Sequence, residues 1–190
     1  MTADQYRELM REKLDADLFK HCLATAETAV KLAERYGAKR DKAYLAGLVH
    51  DYGKRLNRQQ LLKAAERYNL KLDSITLSEA RLLHAPVGAV LLAEELMIKD
   101  RELLNAVSYH TTGYRGMALP AKILYLADFI EPGRRFDGVA KIRELAAVDL
   151  DQALLAAVDK TICSVVARGM KLHPRSVAFR NSLLDRIRKA

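Results

Sequence analysis

The sequence contains no tryptophan, two cysteines, four prolines and nine glycines in 190 residues. Two cysteines without CxxC or finger spacing exclude a disulfide framework and a thiolate zinc site. Cys22 and Cys163 each fall inside a helical apolar pattern and are expected as buried free thiols. So few Pro and Gly leave little room for linkers or low-complexity segments. No apolar run approaches the ~18 residues that span a bilayer. The opening Met-Thr-Ala-Asp-Gln carries an early acid and no apolar leader, so a cytoplasmic protein is expected. Also lacking is any sustained period-two alternation bounded by turn residues, and no strand is expected.

What remains is a composition of 50% hydrophobic and 29% charged residues, that of a soluble globular chain. At this length one domain, residues 1–190, is expected to bury roughly 70% of the surface its unfolded chain exposes. The net charge is +8 with a pI near 9.5, which raises nucleic acid as a partner. The basic residues are nevertheless scattered in the sequence, dense only at Arg134-Arg135 and Arg186-Ile-Arg-Lys189. Small phosphorylated anions fit that distribution better than a duplex does, and neither nucleic acid nor membrane is an expected partner.

The elements read as helices. Apolar residues recur at three- and four-residue spacing over Asp17 to Tyr36, with Gly37 placed to cap the end. Asp41 is the expected N-cap of a helix that ends at His50-Asp51, and Asn57 that of Arg58 to Tyr68. The stretch Ser78 to Leu83 is expected to stop at His84 because Pro86 disfavours helical geometry in Ala85, with Val87 to Leu96 forming the next helix. Asp100 opens a helix that ends at Tyr109-His110-Thr111-Thr112-Gly113. Pro120 opens Ala121 to Ile130, which Pro132-Gly133 terminates. Helices over Val139 to Ala146, over Leu150 to Met170 and after His173-Pro174 complete a compact all-α bundle.

On this reading His21, His50, Asp51, His84, His110 and Asp128 all lie on helix faces or ends bordering apolar segments. Any one alone is most simply a satisfied structural residue or a cap. A buried, unpaired carboxylate at Asp128 would be costly, and a metal would compensate it. Adjacent residues on a helix project about 100° apart, so His50 and Asp51 converge only at a helix end or if Asp51 bridges two ions. Four imidazoles and two carboxylates suffice for two divalent ions sharing Asp51. Such a site keeps positive charge and attracts phosphate; metals ~3.5 to 4 Å apart can hold a hydroxide between them.

The order His21, His50-Asp51, Asp128 along a helical chain resembles the HD-domain phosphohydrolases. The match narrows through Ala46-Gly-Leu-Val-His-Asp-Tyr-Gly-Lys54, Leu83-His-Ala-Pro-Val-Gly-Ala89, Tyr109-His-Thr-Thr-Gly113, Ala127-Asp-Phe-Ile-Glu-Pro-Gly-Arg134, Leu172-His-Pro-Arg-Ser176 and Asn181. Together these are similar to the YqeK family of symmetrical bis(nucleosyl)-tetraphosphatases. The resemblance runs from about Phe19 to Asn181, with core motifs over about 19–134 and C-terminal helices, 139–190, completing a nucleotide site. It implies an HD-type helical bundle, a di-iron centre and cleavage of diadenosine tetraphosphate into two ADP. His21, His50, Asp51 and Asp128 would hold one ion, and Asp51, His84 and His110 the other. It further implies nucleotide contacts from Lys54, Thr111, Arg134 and the Arg175 to Asn181 region. Gly53 stands where a small residue such as Ala is commoner, and Arg180 where an aromatic is more usual.

The residues themselves leave alternatives open. Lys54 can neutralise a phosphate oxygen or complement a helix dipole; Thr111 and Thr112 offer hydroxyls or cap a C-terminus. Arg134 has the planar fork for bidentate phosphate binding, and with Asp51 and Lys54 it is a candidate for the catalytic set. His173 reads as structural or base-contacting. Imidazole and carboxylate suit manganese, cobalt or zinc as well as iron. Other nucleoside phosphates, such as dNTPs, nucleoside monophosphates or guanosine tetraphosphate, are alternative substrates. A non-catalytic metal and nucleotide sensor is the alternative of another class. A homodimer is compatible with all of these.

Overall fold

The computed structural model describes residues 1–189. Among these the chain forms α1 (Ala3–Lys13), α2 (Ala16–Tyr36), α3 (Arg40–Val49), a 3-10 turn (Tyr52–Arg55), α4 (Arg58–Arg67), α5 (Ser74–Ser78), α6 (Ala80–Glu95), α7 (Arg101–Tyr109), α8 (Leu119–Ile130), α9 (Val139–Ala146), α10 (Leu150–Ala167) and α11 (Pro174–Ile187). There is no strand among the described residues, and no helix is long and apolar enough to cross a membrane.

The bundle is built around α8. Residues 121 to 127 are all buried, so between its first residues and its last turn the helix is enclosed on every side. α2, α3 and α7 pack directly on it from the N-terminal part of the chain, and α9 and α10 from the C-terminal part. One contiguous core runs from Tyr6 to Leu183.

Local chemistry sets most boundaries. Asp15, Asn57, Asp73, Asp100 and Asp149 each accept a backbone N–H of the first turn that follows, and Gly37 closes α2 at φ 74°. Asp41 does not cap α3: Lys39 occupies that position without a side-chain bond, and Asp41 lies in the first turn, where its charge complements the helix dipole. The N-terminal helix α1 is announced by a capping box, Thr2 with Gln5, of the S/T-x-x-E/Q type.

Two further expectations are corrected. α6 does not break before Pro86 but runs through it, with His84 inside the helix and not at a junction. An interior proline costs about 3 kcal/mol. Leu83, Val87, Leu91 and Leu92 are each at most 3% exposed, and burial of such side chains contributes roughly 1.5–3 kcal/mol apiece, so packing outweighs the local preference. Cys22 is buried, but Cys163 is exposed. α10 buries Leu150, Ala153, Leu154, Ala157 and Val158, and position 163 falls off that stripe.

Two glycines bring the site's helices together. A Cβ on Gly47 would lie 2.5 Å from the Ala26 Cα, so α3 crosses α2 backbone to backbone. A Cβ on Gly53 would lie 2.2 Å from the His84 carbonyl oxygen, so the 3-10 turn seats directly on α6. Both crossings lie within a few residues of the candidate ligands.

Candidate metal centre

Each imidazole is aimed by its position at a helix face or end. His21 projects from α2. His50 is the C-cap of α3, and Asp51, at φ −98° and ψ 15°, begins the 3-10 turn. The helix end resolves the divergence expected for adjacent residues, since Asp51 has left helical geometry. His110 caps the C-terminus of α7 in the same way. The Nδ1 of His50 donates to the Gly47 carbonyl at 2.8 Å, and that of His110 to the Val107 carbonyl at 2.7 Å. A carbonyl can only accept, so both rings carry their proton on Nδ1 and turn Nε2 toward the cluster.

The ligand atoms converge on Asp51, which is fully buried. Its Oδ1 lies 3.2 Å from His84 Nε2 and 3.4 Å from His110 Nε2. Its Oδ2 lies 3.2 Å from His50 Nε2 and 3.5 Å from His21 Nε2. Asp128 Oδ1 is 3.0 Å from His21 Nε2 and 3.8 Å from His50 Nε2, and the Nε2 atoms of His84 and His110 are 3.1 Å apart. Ligand atoms around one ion at 2.0–2.2 Å lie roughly 3.0–3.5 Å from each other, the spacing found here. His21 Nε2, His50 Nε2 and Asp51 Oδ1 are buried without a hydrogen-bond partner. Unsatisfied buried polar atoms gathered at one point fit a cation. Three groups can supply three ligands each: His21, His50 and Asp51; Asp51, His84 and His110; and His50, His110 and Asp128. Those six residues could therefore hold divalent metal, with Asp51 facing both halves of the cluster.

Electrostatics favours the ligating forms of Asp51, Asp128 and His84. Burial pushes the Asp51 carboxyl up, but His50, His110 and His84 override it and hold the group well below the usual carboxylate range. Burial, joined by the His110 charge, takes His84 down to about 4, so it is neutral at pH 7. Burial also lowers His21, yet the Asp128 carboxylate, 3.0 Å from its Nε2, outweighs it and leaves this ring above its ordinary value. Asp128 lies in the last turn of α8. It is held as a carboxylate against the pull of burial by the neighbouring His21 and by His50 and Arg134.

Around the ligands stand two cations. Lys54 Nζ contacts Asp51 Oδ2 at 2.6 Å. Arg134 pairs through Nη2 with Asp128 Oδ1, and its Nε donates to the Asp128 carbonyl at 2.8 Å. The cluster opens into a cavity of about 720 Å³. Its lining includes Lys54, Arg58, Arg81, Arg134, Lys160, Arg168 and Lys171, with only Glu79 and Asp128 of opposite sign. Cations scattered along the sequence are thus gathered in space. Lys160, Ser164 and Arg168 share one face of α10 at four-residue spacing, a pattern readable in the sequence once α10 is placed.

The other sequence candidates separate clearly. Thr111 lines the cavity. Thr112 is buried; its hydroxyl donates to the Gly113 carbonyl, and its own carbonyl accepts from Ser176. Arg175 stacks over the Tyr109 ring at 5.2 Å and lies 3.5 Å from Asp73 Oδ2. Asn181 is exposed on α11. None of these last three lines the cavity. His173 pairs with Asp73 at 3.0 Å and caps α11, a structural task, while also lining the cavity wall. One site residue lacks a sequence signal: Glu131, which is 4% exposed and whose Oε1 accepts from His21 Nδ1 at 3.2 Å. An acid before Pro-Gly reads as an ordinary turn residue.

Known proteins share this fold and much of this sequence. A profile described as the HD domain matches residues 18–133. The symmetrical bis(5'-nucleosyl)-tetraphosphatase of Halalkalibacterium halodurans is 37% identical over 93% of this chain and 94% of its own length. The protein of the same name from Bacillus subtilis is 33% identical over 97% and 99%. A Clostridium acetobutylicum crystal structure, described as a predicted HD superfamily hydrolase involved in NAD metabolism, superposes with a TM-score of 0.93 at 37% identity, covering 98% of both chains.

Proposed function

The chain belongs to the HD-domain family and, within it, to the symmetrical bis(5'-nucleosyl)-tetraphosphatases, and from that premise we propose that it hydrolyses diadenosine tetraphosphate to two ADP. The observation that carries the reading is the meeting of six metal-competent ligands with a cation-lined cavity large enough for an extended dinucleotide. We take the centre to hold two divalent ions, iron first by kinship, with His21, His50 and Asp128 on one side, His84 and His110 on the other, and Asp51 common to both. Such ions supply a nucleophile at neutral pH and neutralise charge developing at phosphorus.

The remaining work falls to the chain. Arg134 presents a planar guanidinium beside Asp128, suited to grip a non-bridging phosphate oxygen. Lys54 offers a point charge beside Asp51 Oδ2. Lys160, Arg168 and Lys171 line the wall and counter the phosphates that lie away from the ligands. None of the three has a carboxylate partner among the described ion pairs. Phe129 and Phe136, in edge contact at 5.0 Å between centroids, supply an apolar surface for a base. Cleavage is symmetrical if the cavity seats two phosphates on each side of the attacked bond. We place this reaction in the cytoplasm, on a small-molecule dinucleoside polyphosphate.

Chromatography of products from metal-loaded protein should show ADP as the principal product. AMP with ATP would overturn the symmetrical assignment, and absence of turnover on every dinucleoside polyphosphate, with hydrolysis of another nucleotide, would move the substrate assignment within the nucleoside phosphates.

A further inference from the structure

Of the histidines whose Nδ1 contacts are resolved in the cluster, two lean on the main chain and one on a side chain. His50 and His110 donate to carbonyls three residues back in their own helices. His21 instead reaches across the fold: its Nδ1 lies 3.2 Å from Glu131 Oε1, 110 residues away. A carboxylate can only accept, so Glu131 fixes the proton on Nδ1 and leaves Nε2 to face Asp51 and Asp128.

Glu131 is itself held. Its Oε2 accepts from the Gly133 backbone N–H. Arg143 of α9 clamps the surrounding loop, donating to the carbonyls of Ile130 at 2.9 Å, Glu131 at 2.8 Å and Arg134 at 3.1 Å. Glu131 Oε1 also lies 3.7 Å from Arg134 Nε. A nearly buried carboxylate is expensive to keep, and this one is aimed at the back of a ligand ring by a loop that a distant helix immobilises.

We propose that Glu131 is a positioning residue that orients His21 and raises its basicity toward the metal, so that occupancy of the His21 half of the centre is set by the loop 130–134. This rests on the metal-dependent reading above, but its readout is metal affinity and ring chemistry, which do not depend on which nucleotide is hydrolysed. Partners of this kind behind a ligating imidazole change metal affinity by about 10- to 100-fold when removed.

The test titrates manganese(II) into metal-stripped full-length protein and follows free ion by electron paramagnetic resonance. Glu131→Ala should weaken one class of site by about 10- to 100-fold, while Glu131→Gln, whose side-chain oxygen still accepts from Nδ1, should lose several-fold less. In a His21→Ala background, Glu131→Ala should cause no further loss. Wild-type affinity in Glu131→Ala, or an undiminished loss in the His21→Ala background, would overturn the proposal. If the alanine variant does not fold, the wild-type protein decides: in the zinc-loaded protein, nitrogen-15 shifts should show His21 protonated on Nδ1 and coordinated through Nε2. The reverse arrangement would refute the role.

Discussion

Asp51 faces each half of the cluster with one oxygen, so on the proposed two-ion reading Asp51→Ala should strip the protein of metal, whereas His84→Ala should leave the His21 half able to bind. Elemental analysis of the anaerobically purified variants separates the two, and unchanged metal in Asp51→Ala would refute the shared role. Arg134→Lys retains the charge but loses the fork; hydrogen bonds from charged groups are worth about 1.5–3 kcal/mol, so kcat/KM should fall by roughly 10- to 100-fold. The six candidate ligands are legible in the sequence because their chemistry is unusual beside apolar helix faces. Glu131 is not, because its meaning comes from a contact across 110 residues. Thr112 and Arg175 show the converse: they neighbour His110 and His173 in sequence, but backbone geometry turns them to structural partners.

The elements were largely readable where caps and glycine mark them, as at Asn57, Asp100 and Gly37. Pro86 misleads, since its local preference for a break is outweighed by the burial of the residues around it. α1 has a readable signature in Thr2 and Gln5, but its apolar stripe is short, with only Tyr6 and Met10 buried. The crossing of α3 on α2 depends on Gly47, where an added methyl has only backbone to displace. Gly47→Ala should therefore destabilise the protein by about 1–3 kcal/mol, read as a lower denaturant midpoint, and should also disturb metal binding because His50 lies one turn away.

α5 offers a test with pH. Asp73 caps that helix by accepting from Thr76 N at 2.9 Å and pairs with His173 at 3.0 Å. Burial raises its carboxyl, but the Thr76 backbone bond and His173 more than reverse this and hold it below the usual range. A depressed folded-state value means the contribution is present above the unfolded carboxylate value and is lost as pH falls through the folded one. Asp73→Asn should cost about 1 kcal/mol or less near neutrality, as an asparagine can still cap. The gap in melting temperature between variant and wild type should close as pH drops below about 4.

At the scale of the molecule, the fold class follows from helical periodicity together with the absence of alternation, and the bundle confirms it. What no linear reading shows is how charge is distributed: seven basic residues drawn from four separated stretches converge on one cavity. A polyphosphate attracted by that field should bind more weakly as salt screens it, so KM should rise with ionic strength while kcat changes little. The double variant Lys160→Ala, Arg168→Ala should raise KM by roughly 3- to 10-fold, since exposed ion pairs contribute about 0.2–1 kcal/mol each, and should flatten the salt dependence. An unaltered salt response would show that this wall does not meet the substrate.

The anchoring of the rings also bears on how such a centre can change by mutation. The Gly47 and Val107 carbonyls belong to the peptide chain, so no side-chain substitution at either position deletes the acceptors that orient His50 and His110. His21 is different, because a single codon change at Glu131 removes its anchor while every ligand stays in place. Variation in metal preference among descendants of this chain, or in a laboratory selection for a different ion, should accordingly accumulate in the loop 130–134 and in the Arg143 that clamps it, with the six candidate ligands left untouched.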